Sequence, residues 1–505
     1  MQSVTRERFP SAETLLRVAL WSVLLGVIAF TRTDPDLWGH VRFGLDILRD
    51  GALPHADAYS FTSDRVWINH EWAAEIAMGT AFRAAGGAGL VILKLSVMAG
   101  LLLLVDRMLR REGVLAGRLR DWLVAAAVIM TVQQAHHVRP QLFSLLFFTV
   151  LLTCLLRSSK PEDLRWLLAV PPLFALWANF HGGWIVGGAT LMLWTFGSLL
   201  SHRRDRLRLV ALLTATGAAA LSGTLANPYG FGLWRFLWET VGISRAEITD
   251  WQPVYALNPS VWGLWIITAV FVVLGFLRAR PTFLEPRRVL VVLALATGSF
   301  FVNRLLGFFA IATVSLFGAA IVGARQLQPA TTDSAGHRGG RAAAFAIGVI
   351  MMAGAFVALT VNVGCVHIDA RTTPEPEAVT VLQRQPGGSR LLVWFDWGEY
   401  AIWHLGPRIR VSIDGRRETV YSGRLQERHL RFFFDSPGGA GLPREINADY
   451  VWIPPNLPAA SRLRAEGWSL LYVGEKSAIF GRPGISPPML TMTPAPVSGR
   501  CFPSR

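Results

Sequence analysis

The chain has 505 residues, of which 52% are hydrophobic and only 16% are charged. Soluble globular domains carry about 25% charged residues, so this composition excludes an ordinary soluble enzyme and indicates a membrane protein. The net charge of +15 does not indicate nucleic-acid binding, because the arginines are spread over short segments between apolar runs and form no single basic face.

Apolar runs of helix length recur through residues 1–365, which we predict to be a transmembrane domain. About 20 apolar residues in a helix span a bilayer, and lipid excludes unpaired backbone groups. The sequence therefore predicts about eleven membrane helices, near 13–30, 87–105, 121–135, 141–156, 165–180, 183–200, 208–225, 261–277, 287–302, 304–323 and 342–363. The first run lacks a small-residue cleavage site, which predicts a retained helix rather than a signal peptide.

The distribution of arginine predicts the orientation. If the N-terminus is cytoplasmic, every inner loop carries several basic residues, and the outer connections carry only isolated ones. This is the distribution that the positive-inside rule describes. Eleven helices then place the C-terminal part of the chain outside the cytoplasm.

The first loop, residues 31–86, is predicted on the outer side and contains two short helical patterns. Apolar residues recur at helical spacing in 37–48 before Gly51, which predicts an amphipathic helix at the membrane surface. A second segment, 72–84, ends at the Gly86-Gly87 pair.

The composition changes after residue 365. Segments 390–394, 409–413, 448–453, 469–473 and 477–481 are typical of strands, with helical stretches between them. Residues 366–485 are therefore predicted to form a small extracytoplasmic α/β domain, and the Pro-rich segment 486–505 is predicted to be a disordered tail. Cys365 and Cys501 both fall on the outer side, which allows a disulfide between them.

Polar and ionisable side chains collect in the outer connections and not in the middle of the helices. Such residues are costly near a bilayer and tend to be functional or paired. The candidates are Asp34, Asp36, His70, Glu71, Arg139, Asn179, His181, Asp250 and Arg304.

Each candidate has a functional and a structural interpretation. Asp34 and Asp36 could present carboxylates to a divalent cation, or cap the helix that follows. His70 and Glu71 could supply a ligand and a base, or form an acidic first helical turn. The arginines could bind phosphate in a bidentate manner, or extend to lipid headgroups. His181 could also simply hydrogen-bond helix ends. No HxxxH or similar spacing occurs among these residues, which argues against zinc.

This combination resembles the GT-C class of membrane glycosyltransferases, which use polyprenyl-phosphate-linked donors. The segment Asp34-Pro35-Asp36 is similar to the acidic first-loop motif of the oligosaccharyltransferase catalytic subunit, which helps to hold a divalent metal. Glu247 or Asp250 lies in a loop comparable to one that contributes a further acidic residue there.

The C-terminal motifs extend the resemblance. The segment Trp394-Phe395-Asp396-Trp397-Gly398 resembles the acceptor-recognising Trp-Trp-Asp-Tyr-Gly motif of that subunit, with Phe395 and Trp397 departing from it. The segment 396–400, followed by Ile413-Asp414-Gly415-Arg416, looks like a large set of bacterial glycosyltransferase-like membrane proteins. An alternative role for Asp396 is that of a helix N-cap.

The resemblance implies transfer of a sugar from a polyprenyl-phosphate-linked donor to an acceptor at the extracytoplasmic face of a bacterial inner membrane. Asp36 is the implied base, with Asp34 or Glu71 as substitutes. The residues expected to bind donor phosphate are Arg139, Arg304, His70, His181 and Asn179. Those expected to bind acceptor are Trp394, Asp396 and Trp397. Asp34, Asp36 and Asp250 are expected to hold Mg²⁺ or Mn²⁺, the one cofactor implied.

Three other functions compete with this one: a non-catalytic membrane scaffold, a lipid or polymer transporter, and a hydrolase of lipid-linked phosphate. Transporters place polar residues near the bilayer midplane, often on broken helices. Here the polar residues lie at one end of the helices, which disfavours transport and leaves the scaffold open.

Overall fold

A computed structural model describes residues 12–503 except 55, 115–116, 160, 202–204, 241–244, 246–247, 280–283, 323–337 and 486–499. Glu247 therefore lies outside the described residues. The described chain forms a bundle of helices followed by a domain of helices and one sheet.

The described part of the bundle contains thirteen α-helices. They are α1 Ala12–Ala29, α2 Leu37–Asp50, α3 Trp72–Arg111, α4 Gly117–Ala135, α5 Gln141–Arg157, α6 Val170–Phe180, α7 Trp184–Leu199, α8 Arg206–Gly223, α9 Phe231–Thr240, α10 Pro259–Arg278, α11 Pro286–Phe301, α12 Leu306–Ile321 and α13 Arg338–Val363. Each predicted apolar segment overlaps one of them. Four helices, Trp72–Arg111, Pro259–Arg278, Asn303–Ile321 and Phe345–Val363, are long and apolar enough to cross a membrane. The number of crossings remains a prediction.

The surface of the bundle is suited to lipid. Helix α13 exposes Phe345, Ile350 and Phe356, and α10 exposes Val273 and Leu277. Contiguous exposed apolar side chains are rare on soluble monomers. Helix α12 is buried along its whole length, as expected for a helix that is apolar on every side. The turn that precedes it, 303–305, begins with the buried Asn303.

Helix α3 is kinked where the sequence predicts that the second surface segment ends. Ala85 and Gly86 have non-helical backbone angles, and Gly86 has a φ of 57°, a conformation that glycine adopts without a steric penalty. The kink separates the surface part of α3 from its long apolar part, so this predicted boundary is confirmed.

The C-terminal part consists of α14 Pro376–Gln383, β1 Ser389–Val393, α15 Gly398–Leu405, β2 Ile409–Val411, α16 Gly423–Phe433, α17 Leu442–Glu445, β3 Tyr450–Ile453, α18 Pro458–Ala465, β4 Ser469–Val473 and β5 Ala478–Gly481. The strand order is β2-β1-β3-β5-β4. Strands β1, β2 and β3 are parallel, and β5 pairs with β3 and β4 in antiparallel fashion. The five strands coincide with the five predicted segments.

The first loop packs into this C-terminal domain. Ser60 forms a parallel bridge with Val411 at the β2 edge of the sheet. Trp38 and Trp67 share one apolar core with Tyr400 and Ile413. Because neither unit buries this core alone, the loop is held in a fixed position relative to the α/β domain.

The prediction of a disordered tail is wrong for the end of the chain, although residues 486–499 lie outside the described part. Cys501 forms a disulfide with Cys365, and Phe502 is buried against Trp38 and Trp403. The proline-rich composition indicated disorder, but Cys501 and Phe502 attach the end of this segment to the rest of the protein.

Candidate active site

A cavity of about 500 Å³ lies between the helix bundle and the α/β domain. Its walls come from the first loop, from the connections α4–α5, α6–α7 and α11–α12, from residues 236–251 and from the α/β domain. The predicted site residues that line it are Asp36, His70, Glu71, Arg139, His181, Asp250 and Arg304. The fold therefore brings seven predicted residues from five separate segments to one place.

Arg139 lies among three carboxylates. Its Nε donates to Asp34, and its Nη1 donates to Asp250 Oδ2 at 2.7 Å. Its Nη2 lies 3.6 Å from Asp36 Oδ2. Burial would raise the pKa of Asp34, but the Arg139 guanidinium holds it below its ordinary value. Arg139 is thus an internal counter-ion, and the alternative of extending to lipid headgroups is wrong for this residue.

The metal site predicted at Asp34, Asp36 and Asp250 does not fit this arrangement. The carboxylates converge on Arg139, so a divalent cation there would compete with the guanidinium for the same oxygens and repel it. Among the residues that the structure describes, no group of three or more His, Cys, Asp or Glu could hold a metal ion. The reaction proposed for this site therefore uses no metal in any step.

The two first-loop aspartates occupy opposite environments. The Asp34 side chain is 3% exposed, whereas that of Asp36 is 35% exposed and lines the cavity. Asp36 stands at the N-cap position of α2, but its side chain makes no capping hydrogen bond. Burial raises its pKa, and the charge on Asp34 adds to this against the effect of Arg139. Asp36 is therefore the aspartate that can exchange a proton with a ligand in the cavity.

Glu71 lies among three histidines. Its carboxylate is 3.6 Å from His181 Nε2, 3.7 Å from His70 Nε2 and 4.0 Å from His40 Nδ1. Burial would raise the pKa of Glu71, but these histidines and the nearby Arg304 outweigh it and lower the pKa to about 2. A carboxylate with so low a pKa is a weak general base, so the environment favours Asp36 over Glu71 for that role.

His181 and Arg304 present two hydrogen-bond donors to each other. Gly183 N–H donates to His181 Nδ1 at 3.0 Å, and Ser144 Oγ lies 2.7 Å from the same nitrogen. Burial lowers the pKa of His181 to about 3, so the neutral ring carries its proton on Nε2. Arg304 Nη2 lies 3.0 Å from that nitrogen. Two N–H donors cannot hydrogen-bond to each other. An anionic oxygen close to both nitrogens could accept a hydrogen bond from each of them.

Arg304 differs from Arg139 in its charge balance. Within the described chain, no carboxylate lies within ion-pairing distance of Arg304. Its guanidinium lies 5.6 Å from the centre of the Trp251 ring. Gln141 Nε2 donates to its carbonyl oxygen at 3.1 Å, which fixes the turn. The positive charge of Arg304 is consequently available to an anion in the cavity.

Asn179 has a structural role, contrary to the prediction that it binds phosphate. Its Oδ1 accepts a hydrogen bond from Trp72 Nε1 at 2.9 Å. Its Nδ2 donates to the carbonyl oxygens of Ala175 and Ala226, each at 2.8 Å. These three bonds occupy the amide and tie α3 and α6 to the segment after α8.

The acceptor residues predicted from the resemblance do not line the cavity. Trp397 is 5% exposed and packs against Trp452 of the sheet. The Trp394 ring packs on Phe433. Trp394 Nε1 donates to Asp396 Oδ2 at 3.3 Å, and Asp396 caps no helix.

The α/β domain and α2 line the cavity with residues that were not among the predicted site residues. Glu399 and residues 415–419 line the cavity from the α/β domain, and His40 lines it from α2. Glu399 and residues 415–416 lie within the segments 396–400 and 413–416, which carry the resemblance. Attention to every polar residue of those segments, beyond the aromatic ones, would have identified them.

No protein-family model and no curated protein sequence matches the chain. Several solved structures are similar in fold, and two of them are of ArnT from Cupriavidus metallidurans. The structure bound to undecaprenyl phosphate has 12% sequence identity and a TM-score of 0.55, over 93% of this chain and 97% of that one. The apo structure has 14% identity with the same TM-score and coverage. ArnT is a GT-C glycosyltransferase, so the predicted GT-C fold is confirmed.

Proposed function

We propose that this chain, which has the GT-C fold, is a membrane glycosyltransferase. It transfers a sugar from a polyprenyl-phosphate-linked donor to an acceptor hydroxyl, at the extracytoplasmic face of a bacterial inner membrane. One observation carries the proposal: a single cavity holds a carboxylate with a raised pKa, Asp36, together with an arginine, Arg304, that forms no ion pair with any carboxylate of the described residues.

The donor phosphate is assigned to Arg304 and His181. Their facing nitrogens, 3.0 Å apart, are both donors and lack a shared acceptor. Charge-assisted hydrogen bonds to phosphate oxygens are among the stronger polar contacts in proteins. The similarity of the fold to a protein crystallised with undecaprenyl phosphate supports a polyprenyl phosphate as the lipid part of the donor. His70 lines the same cavity and is assigned to the phosphate as well.

Asp36 is the proposed base. It takes the proton of the acceptor hydroxyl as that oxygen bonds to the anomeric carbon of the sugar. The bond between this carbon and the phosphate oxygen breaks, and its electron pair leaves with the phosphate. One displacement of this kind inverts the anomeric centre. The products are the glycosylated acceptor, the polyprenyl phosphate and a proton on Asp36, which passes to water.

Positive charge placed in advance beside the leaving group is usually the largest single contribution to such a step. Arg304 supplies it in this proposal. Arg139 serves in a different way, because its charge is balanced by Asp34 and Asp250. It holds the acidic residues in place and keeps the pKa of Asp36 from rising further.

The proposal predicts that purified protein in lipid nanodiscs binds undecaprenyl phosphate, and that Arg304→Ala weakens this binding. Loss of one charge-assisted hydrogen bond costs about 1.5–3 kcal/mol, or roughly 10- to 100-fold in the dissociation constant. Arg235→Ala is the matched control, because Arg235 lies on α9, is exposed and does not line the cavity.

Titration of both variants with undecaprenyl phosphate, followed by native mass spectrometry, distinguishes the outcomes. Weaker binding by Arg304→Ala alone supports the assignment. Equal binding by wild type and Arg304→Ala would contradict it, and absence of binding by wild type would leave a scaffold as the better function.

A further inference from the structure

We infer that Glu399 of the α/β domain is a positioning residue for Asp36. Glu399 accepts a backbone N–H at the N-terminus of helix α2, so the Asp36 carboxylate makes no capping bond and is free to face the cavity. This inference goes beyond the proposed reaction and rests on it only for the role of Asp36. The capping contact itself is independent of what the cavity binds.

The N-terminus of α2 has an unusual cap. The first backbone N–H groups of a helix lack partners within it, and an aspartate at the N-cap position commonly accepts one of them. Asp36 occupies that position without making such a bond. Glu399 Oε2 accepts the Gly39 N–H instead, at 3.1 Å, across 360 residues of sequence. Glu399, which is distant in sequence, thus accepts the kind of hydrogen bond that an aspartate at the N-cap usually accepts.

Three glycines make this approach sterically feasible. A Cβ atom on Gly39 would lie 2.0 Å from Glu399 Oε2, and one on Gly415 would lie 2.3 Å from Asp36 Oδ1. A Cβ on Gly398 would lie 2.3 Å from the Ile413 carbonyl oxygen. All three distances are too short for a side chain. Gly39 and Gly415 therefore border the carboxyl groups of Glu399 and Asp36, and Gly398 lets the chain before Glu399 pack against the backbone at Ile413.

The environment of Glu399 favours its uncharged form. It is 3% exposed, and burial together with the negative charge of Asp36 raises its pKa well above the ordinary value. Asp414, Arg416 and Glu75 also face it, and of these only Arg416 opposes the rise. Because Oε2 accepts the Gly39 N–H, the proton resides on Oε1, the oxygen on the side of Gly415 and Asp36. A neutral acid accepts the backbone N–H without placing a second negative charge beside Asp36.

The competing interpretation is that Glu399 itself is the base. Glu399→Gln separates the two, because glutamine keeps an oxygen that can accept the Gly39 N–H but cannot take a proton from an acceptor. Positioning predicts that kcat of Glu399→Gln stays within about threefold of wild type, with an unchanged acidic limb of the pH profile. A base predicts loss of turnover. An ionised Glu399 predicts that the acidic limb moves to lower pH, because removing a negative charge lowers the pKa of Asp36.

Glu399→Ala removes the cap. We expect kcat to fall by more than about 30-fold while KM for the donor changes less than about threefold, since the phosphate residues are elsewhere. The midpoint of thermal unfolding should fall by about 1–2 °C for the lost cap in a chain of this size.

A double-mutant cycle tests the contact without any assay of turnover. Gly39→Ala should destabilise wild type, because its Cβ meets Glu399. The three atoms nearest to that Cβ all belong to the Glu399 side chain and are absent from Glu399→Ala. Because alanine is the better helix former, the same substitution should be neutral or stabilising in that background. Gly44→Ala is the matched control, because its Cβ would lie 1.9 Å from the Glu75 carbonyl oxygen and should destabilise both backgrounds equally.

The proposed function and the positioning role of Glu399 can be contradicted independently. If wild type transfers no sugar but the cycle shows the predicted reversal of sign, the proposed function fails and the cap stands. If Gly39→Ala is equally destabilising in both backgrounds, or if Glu399→Gln abolishes turnover, the positioning role is overturned.

Discussion

Asp34 and Asp36 show how two identical side chains, two residues apart, can differ in burial and in the direction of their pKa shift. Asp34 is buried against Arg139, which lowers its pKa, while Asp36 is directed into the cavity, where burial and negative neighbours raise its pKa. The pair of aspartates was evident from the sequence. Which of the two could act as a base was not, because that depends on the position of Arg139, about a hundred residues away.

The raised pKa of Asp36 has a consequence for the pH dependence of the reaction. A base must be ionised to accept a proton, so kcat should be lost as the pH falls through the pKa of Asp36. That acidic limb should lie above the range of an ordinary exposed aspartate, whose pKa is about 3.9. The dependence of kcat on pH, measured with saturating donor, checks this. A flat profile down to the ordinary aspartate range would contradict the assignment.

Arg139 provides a second prediction at this scale, concerning the divalent metal. Because the guanidinium occupies the centre of the three predicted ligands, we expect EDTA to leave turnover unchanged within about twofold. Addition of Mg²⁺ or Mn²⁺ after EDTA should have no effect. Loss of activity in EDTA that Mn²⁺ restores would show that Arg139 moves aside for a metal during the reaction.

Among the helices and strands, the sequence predicted the elements whose structure depends on residues close together in the chain. The strand segments, the kink at Gly86 and the amphipathic helix α2 follow from apolar spacing and from glycine. The acceptor segment 394–397 could not be predicted in the same way. Its aromatic residues resemble a recognition motif, but Trp397 is needed to cover the sheet beside Trp452, and the following segment reaches the cavity instead.

The last described segment supplies a prediction for the elements. The disulfide between Cys365 and Cys501 joins the end of α13 to the chain terminus, across 136 residues. A crosslink of this kind contributes about 2–4 kcal/mol to the free energy of unfolding. Cys365→Ser/Cys501→Ser should therefore have a lower midpoint of thermal unfolding than wild type.

Dithiothreitol serves as the control for that comparison. It should lower the midpoint of wild type to that of the double variant and leave the variant unchanged. The remaining cysteine described, Cys154, is buried in the bundle. A wild-type midpoint that does not respond to dithiothreitol would mean that the two sulfurs are not bonded in solution.

In the whole molecule, the site exists only because three parts of the chain meet. The bundle supplies Arg139 and Arg304, the first loop supplies Asp36 and Glu71, and the α/β domain closes the cavity with residue 399 and the segment 415–419. Composition and apolar patterning predicted the bundle and the domain separately. Their shared core, in which Trp38 packs on Tyr400, has no signature in a single sequence, because it joins positions hundreds of residues apart.

The central claim is that this cavity transfers a sugar from a polyprenyl phosphate with Asp36 as the base. Its most direct test is the release of free undecaprenyl phosphate from a panel of undecaprenyl-phosphate-linked sugars, incubated with bacterial envelope extract as the source of acceptor. We expect release by wild type with at least one donor and a loss of about 10²- to 10⁴-fold in Asp36→Asn, while this variant still binds undecaprenyl phosphate. Equal release by wild type and Asp36→Asn would contradict the account.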